Sequence, residues 1–187
     1  MIQEAFEYSE KYGTPVFLRP TTRVCHGYAS IMVKDETEYT HHQPEGFIKD
    51  SKRWVIFPRL SFMNHKKIEA RNQELSDIFS SYEKNTIHPS CDAFKDSKKG
   101  IATGGISYTY TMETLKKTGM VKTLKIATPH PFPEKLAVDF LSGLDEVLCL
   151  EELDPVIERE LIYICGKYHL PTRINGCLLY TSPSPRD

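Results

Sequence analysis

From Gly100 to Ile174 the chain alternates between apolar runs of strand length and longer stretches of helical periodicity. Ile101-Ala102-Thr103-Gly104-Gly105 reads as a strand ending in glycines, and Ser107 to Lys117 as a helix closed by Gly119. Val121 to Ala127 makes a second strand. Pro129, Pro131 and Pro133 then punctuate the entry to a helix over Glu134–Leu141. Glu146 to Leu150 is a third strand. Asp154-Pro155 sets a capping acid before a first-turn proline, which opens a helix running to about Tyr168. Leu170 to Ile174 begins a fourth strand. A helix between two strands is the usual way to join parallel neighbours, so three alternations over ~70 residues predict a parallel sheet flanked by helices.

The chain before this region has a less regular rhythm. Ile2, Ala5, Phe6 and Ser9 keep helical spacing up to the capping Gly13, and Thr14 to Arg19 is a short apolar run of the kind buried in a parallel sheet. Residues 27–52 are polar and irregular, with a candidate strand at Ser30–Lys34. A second candidate strand lies at Arg53–Pro58. Ser61 to Tyr82 contains no Gly or Pro and spaces Ile68, Leu75, Ile78, Phe79 and Tyr82 as one apolar stripe, which predicts a long amphipathic helix. Asn85 to Lys99 is polar and turn-rich and reads as a linker between domains.

Composition narrows the function classes. A formal net charge of -1, with 24 basic and 25 acidic residues, gives no electrostatic case for nucleic acid or a membrane surface. No run approaches the ~20 apolar residues of a membrane-spanning helix. Met-Ile-Gln-Glu-Ala-Phe lacks the charged and apolar regions of a signal peptide. The five cysteines, Cys25, Cys91, Cys149, Cys165 and Cys177, form no Cys-x-x-Cys pair, which suits reduced thiols in a cytoplasmic protein. No two histidines have the spacing that places both on one helical face, so no metal site is expected.

Chemistry-bearing residues concentrate at strand ends. Leu18-Arg19-Pro20-Thr21-Thr22-Arg23-Val24-Cys25-His26 follows an expected strand at its carboxyl end, where open α/β sheets hold ligands. Its guanidinium groups and hydroxyls are donors suited to a carboxylate or phosphate, or to acids of a neighbouring domain. Cys25 and His26 are adjacent, and side chains of an extended segment alternate, so they do not form a nucleophile–base pair. Thr103-Gly104-Gly105-Ile106-Ser107 resembles a phosphate-cradling turn without the full glycine fingerprint, and its glycines serve tight strand–helix packing equally well. Glu151-Glu152 is read as a pair of acids favoured at a helix N-terminus rather than as an acid–base pair.

Two sets of motifs together carry a resemblance. Glu4 to Val16, followed by Leu18-Arg19-Pro20-Thr21-Thr22-Arg23-Val24-Cys25-His26, resembles the end of the first domain of indolepyruvate:ferredoxin oxidoreductase large (alpha) subunits. Gly100 to Tyr108, Pro131-Phe132-Pro133-Glu134-Lys135-Leu136 and Val147 to Pro155 resemble the second domain of the same subunit, in order. That family is similar to the pyruvate:ferredoxin oxidoreductases of the 2-oxoacid:ferredoxin oxidoreductase superfamily. The resemblance implies a complete enzyme that oxidatively decarboxylates indolepyruvate or aryl-2-oxoacids to acyl-CoA. Its expected cofactors are thiamine diphosphate, Mg and iron–sulfur clusters, and ferredoxin is the acceptor. It implies as partners the remainder of the large subunit, the small (beta) subunit, ferredoxin and CoA.

The same resemblance implies an internal fragment. Residues 1–60 would be the C-terminal remnant of a pyrimidine-binding-like domain, 61–96 a helical linker region, and 97–176 a transketolase C-terminal-like parallel sheet domain with flanking helices. The activating glutamate would lie upstream, so no catalytic or cofactor-binding residue is assigned; Thr21, Thr22, Arg23 and His26 are expected near the substrate. Cys177 to Asp187 back-translate to a string resembling a transposase-based sequencing adapter. Residues 177–187 are therefore expected to be a translated adapter on an assembled metagenomic sequence, the alternative being a disordered Ser/Pro tail. A fragment of this kind is expected to be inactive by itself. A subunit-packing module and a small nucleotide-binding α/β protein using Gly104-Gly105 are the alternatives.

Overall fold

The computed structural model describes residues 2–20, 25–39, 43–44 and 46–179. They divide into two compact units whose boundary falls between Ile68 and Glu69, inside a long helix.

In the first unit, helix α1 (Ile2–Tyr12) forms as its spacing predicts, with Tyr8 and Tyr12 stacked one turn apart at 5.7 Å. The run Thr14–Arg19 is not a strand. Phe17 is 89% exposed, and Val16 and Leu18 are exposed beside it. Its apolar character asks for neighbouring strands, and none is present among the described residues of this unit. Ser30–Lys34 is likewise irregular, and Arg53–Pro58 is not a strand either. There the Asp50 carboxylate accepts from the backbone N–H of Lys52 and Arg53, at 2.9 and 3.3 Å, and nucleates the single-turn helix α2 (Ser51–Trp54). Helix α3 (Pro58–Ser80) starts three residues earlier than the stripe predicts, because Pro58 fits the first helical turn.

The second unit is a mixed α/β layer built around a five-stranded sheet. Its elements are β1 (Thr86–His88), β2 (Lys99–Gly104), α4 (Gly105–Thr118), β3 (Lys122–Ile126), α5 (Glu134–Leu141), β4 (Glu146–Glu152), α6 (Val156–Tyr168) and β5 (Arg173–Leu179). The spatial order is β1-β3-β2-β4-β5. β3, β2, β4 and β5 are mutually parallel, as the alternation predicts, and β1 joins antiparallel at the β3 edge. β5 runs to Leu179, pairing Leu150 with Cys177 and Glu151 with Leu178, so three residues of the expected tail extend the strand; 180–187 lie outside the described residues.

The segment Asn85–Lys99 is no linker. Asn85 is buried and donates to the Phe79 carbonyl at 2.8 Å and to Thr128 Oγ1 at 2.7 Å, while its Oδ1 accepts from Ala127 N–H at 2.7 Å. This side chain ties the exit of α3 to the end of β3 and delivers β1 to the sheet edge. Polar composition misleads here because the polar atoms are bonded internally.

One face of the sheet carries the main core: Ala102, Leu124, Ile126, Val147 and Cys149 under Phe140 and Leu141 of α5 and Ile157, Leu161 and Ile164 of α6. Gly100 permits this approach, since a Cβ there would stand 2.7 Å from Leu144 Cδ1 and 2.9 Å from Phe140 Cζ. Lys122 Nζ reaches over the end of α5 and donates to the carbonyls of Phe140, Ser142 and Asp139, satisfying the helix's last acceptors. Among the described residues no helix is long and apolar enough to cross a membrane.

Candidate functional site

The carboxyl ends of the parallel strands bring together Gly105 and Leu153, both with positive φ. The chain leaves β2 toward β3 on one side and enters β4 on the other, so the switch in direction lies between β2 and β4. Open α/β sheets form crevices at such points. Here Thr103 Oγ1 donates to the Leu150 carbonyl at 2.8 Å and clamps the two strand ends. Gly104 lies against the Ile126 carbonyl, where a Cβ would come within 2.7 Å. Gly105, with φ +55°, then turns the chain directly into α4. Two turn positions therefore require glycine, one for space and one for conformation.

The N-termini of α6 and α4 at this edge differ. At α6 the terminus is filled by the chain itself: Glu151 Oε1 accepts from Ile157 N–H at 2.7 Å and Oε2 from Glu158 N–H at 2.9 Å. Asp154 does not cap this helix, contrary to the Asp-Pro pattern. Leu153, at φ 69°, turns the chain so that a carboxylate from the end of β4 takes that place. The reading of Glu151 as a helix-terminal acid therefore holds, and the carboxylate is committed to structure. At α4 no side chain caps the terminus. Ser107 is buried in its first turn, with its hydroxyl making no hydrogen bond.

The two thiols in and against the core of the second unit are poor nucleophiles. Burial pushes the Cys149 thiol up to about 12, and the neighbouring carboxylates of Glu151 and Glu158 and the thiol of Cys165 act in the same direction. Burial also raises Cys165. Neither is a thiolate near neutral pH. Glu134, at the start of α5, is the contrasting case. Burial opposes its ionised form, but hydrogen bonds from Lys167 Nζ and the Tyr168 hydroxyl outweigh that and hold the carboxyl below its ordinary value. This is an inter-helix clasp, not an acid–base pair.

One arrangement went unread in the sequence. His88 Nε2 lies 3.0 Å from the Tyr108 hydroxyl and 3.3 Å from Thr86 Oγ1, with the His and Tyr rings stacked. Lys125 Nζ sits 4.8 Å from the Tyr108 ring centre. Thr86, His88 and Lys125 share one sheet face through the antiparallel register that pairs Thr86 with Lys125. The sequence does not show this grouping, because β1 is three residues long and carries no period.

Of the residues expected near a substrate, Thr21, Thr22 and Arg23 lie outside the described residues. His26 is exposed in a turn, with Cys25 exposed beside it. Among the described residues no group of three or more His, Cys, Asp or Glu could hold a metal ion. The described residues therefore offer no ligand set for magnesium or an iron–sulfur cluster.

No family model matches the chain. Individual proteins do. It is 35% identical over 184 residues to the indolepyruvate oxidoreductase subunit IorA of Methanothermobacter thermautotrophicus, a match covering 97% of this chain and 29% of that protein. It is 35% identical over 166 residues to the IorA subunit of Pyrococcus abyssi, covering 86% of this chain and 25% of the relative. The IorA subunit of Archaeoglobus fulgidus is 30% identical over 174 residues, covering 91% and 26%. A solved 2-oxoglutarate:ferredoxin oxidoreductase from Magnetococcus marinus overlays 68% of this chain on 22% of its own, at 16% identity and a TM-score of 0.45, a slight likeness. The chain thus spans less than a third of the length of the IorA proteins it matches. Near-complete alignment of this chain on one part of several IorA proteins makes it homologous to a segment of the IorA subunit of indolepyruvate oxidoreductases.

Proposed function

We propose that this chain is a structural segment of the large subunit of a thiamine-diphosphate-dependent oxidoreductase. The complete enzyme would oxidatively decarboxylate indolepyruvate or a related aryl-2-oxoacid to the acyl-CoA, with ferredoxin as electron acceptor. The observation that carries the reading is the alignment of 97% of the chain to 29% of an IorA subunit. Residues 97–176 are then a transketolase C-terminal-like domain, with 86–88 added as its edge strand. Residues 1–60 are the end of a pyrimidine-binding-like layer, and 61–96 carry the helix that joins the two. The partners are the remainder of the large subunit, the small subunit, ferredoxin and CoA.

The thiamine cofactor supplies the electron sink for decarboxylation in such an enzyme. None of the described residues is given a part in holding it, in binding magnesium or in ligating a cluster. What this segment's residues do is scaffold: Glu151 fixes α6, Asn85 fixes β1, and Gly104 and Gly105 let α4 start directly at the sheet edge. Thr21, Thr22, Arg23 and His26 remain proposed as neighbours of the substrate entrance, where a guanidinium and two hydroxyls would meet the 2-oxoacid carboxylate.

The test is turnover. The full-length subunit, expressed from the contiguous gene together with its small subunit, should reduce ferredoxin with indolepyruvate and CoA, and the 187-residue chain should not. Turnover by the chain alone would overturn the scaffold assignment. A full-length complex that uses small aliphatic 2-oxoacids and ignores aryl ones would overturn the substrate class.

A further inference from the structure

The two faces of the sheet are unequally covered, and the handedness of the chain says why. Crossovers between parallel strands are right-handed. The path β2–α4–β3 steps one way along the sheet, while β3–α5–β4 and β4–α6–β5 step the other way. Helix α4 therefore lies on one face, and α5 and α6 share the opposite one. On the shared face Val147 is 0% and Cys149 1% exposed. Leu148, between them on β4, points to the α4 side and is 38% exposed, although β4 is flanked by β2 and β5. Interior parallel strands are ordinarily covered on both faces.

Beside Leu148, Ile101 and Leu150 form a hollow of about 260 Å³ with Tyr110, Thr111, Thr114 and Leu115 of α4. The sheet's own crossover helices leave it open. A further parallel strand added outside β5 would bring its helix onto the α5–α6 face, by the same handedness.

We propose that this hollow seats an amphipathic helix from the part of the subunit that this chain does not contain. The inference rests on reading the chain as one portion of a longer subunit, in which relatives extend to more than three times the matched length. The occupant is a helix because β4 is already paired on both sides and offers no edge to a strand. Its contact stripe is apolar at helical spacing, to meet Ile101, Leu148, Leu150 and Tyr110. Its polar flank meets the start of the strands, where Lys99 pairs with Glu146 at 3.4 Å and Asn175 donates to Glu146 at 2.7 Å.

Leu148→Cys, placed in both the 187-residue chain and the full-length subunit, reads the cover directly through the rate of maleimide labelling at position 148, followed by peptide mass. Ile162→Cys, on the exposed outer side of α6, is the reference. Labelling at 148 should be about tenfold or more slower in the full-length subunit than in the chain, with the reference changing much less. Equal rates at 148 would overturn the proposal. So would protection already present in the 187-residue chain and lost on dilution, which would make the occupant a second copy. Unchanged melting of each variant excludes misfolding as the source of any difference, and Leu148→Ala with hydrogen exchange along β4 gives a second reading free of the thiol. Ferredoxin reduction by the unsubstituted full-length complex is scored separately: its failure with protection intact removes the proposed activity and leaves the docking in place.

Discussion

Glu151 shows how one side chain can look catalytic and be structural. It stands at the carboxyl end of a parallel strand beside a second glutamate, the position from which acid–base groups often work, yet both oxygens accept backbone N–H groups of α6. Glu151→Ala should lower stability by about 1–2 kcal/mol, the usual loss of a helix cap, seen as a lower urea midpoint with unchanged slope. Glu151→Gln keeps one acceptor oxygen and should lose less. Cys149 allows a sharper check. Its thiol is pushed up to about 12 by burial first and by Glu151 and Glu158 next, so the folded state holds this proton more tightly than the unfolded chain does. The resulting stability is fully present below the ordinary thiol value of 9.0 and is lost as pH rises from there towards about 12. Cys149→Ala should flatten that alkaline fall in the urea midpoint, and a fall of identical steepness in the variant would refute the burial argument. At this scale the sequence was legible where backbone geometry imposes a residue, as at Gly104 and Gly105. It was opaque where the deciding partner is distant: nothing local to Glu151 reveals that Leu153 turns the chain so that this acid, not Asp154, caps α6.

Elements in the second unit were legible because period and punctuation agree. Each parallel strand is a short apolar run, each helix is bounded by Gly or Pro, and the observed strands differ from the expected ones mainly in length. The edge strand β1 escaped notice because three residues carry no period, and its place is set by Asn85, whose partners lie at Phe79, Ala127 and Thr128. Replacing Asn85 by Ala should cost about 2–3 kcal/mol by orphaning buried donors and acceptors. Hydrogen exchange should rise first at residues 86–88, and protection there equal to wild type would show that strand pairing alone holds β1. Thr14–Arg19 is the converse case, with strand-like composition and no sheet to join among the described residues of its unit. Burial is a property of neighbours, and a run of apolar residues reports only its readiness to be buried. Gly100 shows the same dependence from the packed side. Gly100→Ala would drive a methyl group against Leu144 and Phe140, and overpacking of this kind should cost about 1–3 kcal/mol.

For the whole molecule, apolar surface distinguishes the two units. In the first, Phe17, Met32 and Phe47 are 89%, 98% and 92% exposed, and the elements described there include one eleven-residue helix, a single-turn helix, a short 3₁₀ turn and the start of α3. In the second, the core of Leu124, Phe140, Val147, Leu161 and Ile164 is closed around a sheet whose strands are mostly parallel. The relation to a subunit more than three times as long gives the difference a physical cause. On the proposal that residues 1–60 end a layer of that longer subunit, their exposed apolar side chains would pack against elements outside this chain, whereas the sheet of the second unit closes its own core. Limited proteolysis of the 187-residue chain should therefore cut first between Gly13 and Phe57, leaving a resistant product that begins within α3 and retains β1 to β5. Had Asn85–Lys99 been an interdomain linker, the early cuts would fall there and β1 would be lost with the first unit. In the full-length subunit the Gly13–Phe57 sites should become resistant under the same conditions. Cleavage at them as fast as in the short chain would mean that these exposed aromatic residues are not covered by the rest of the protein, and the account of the first unit as part of a larger layer would fail.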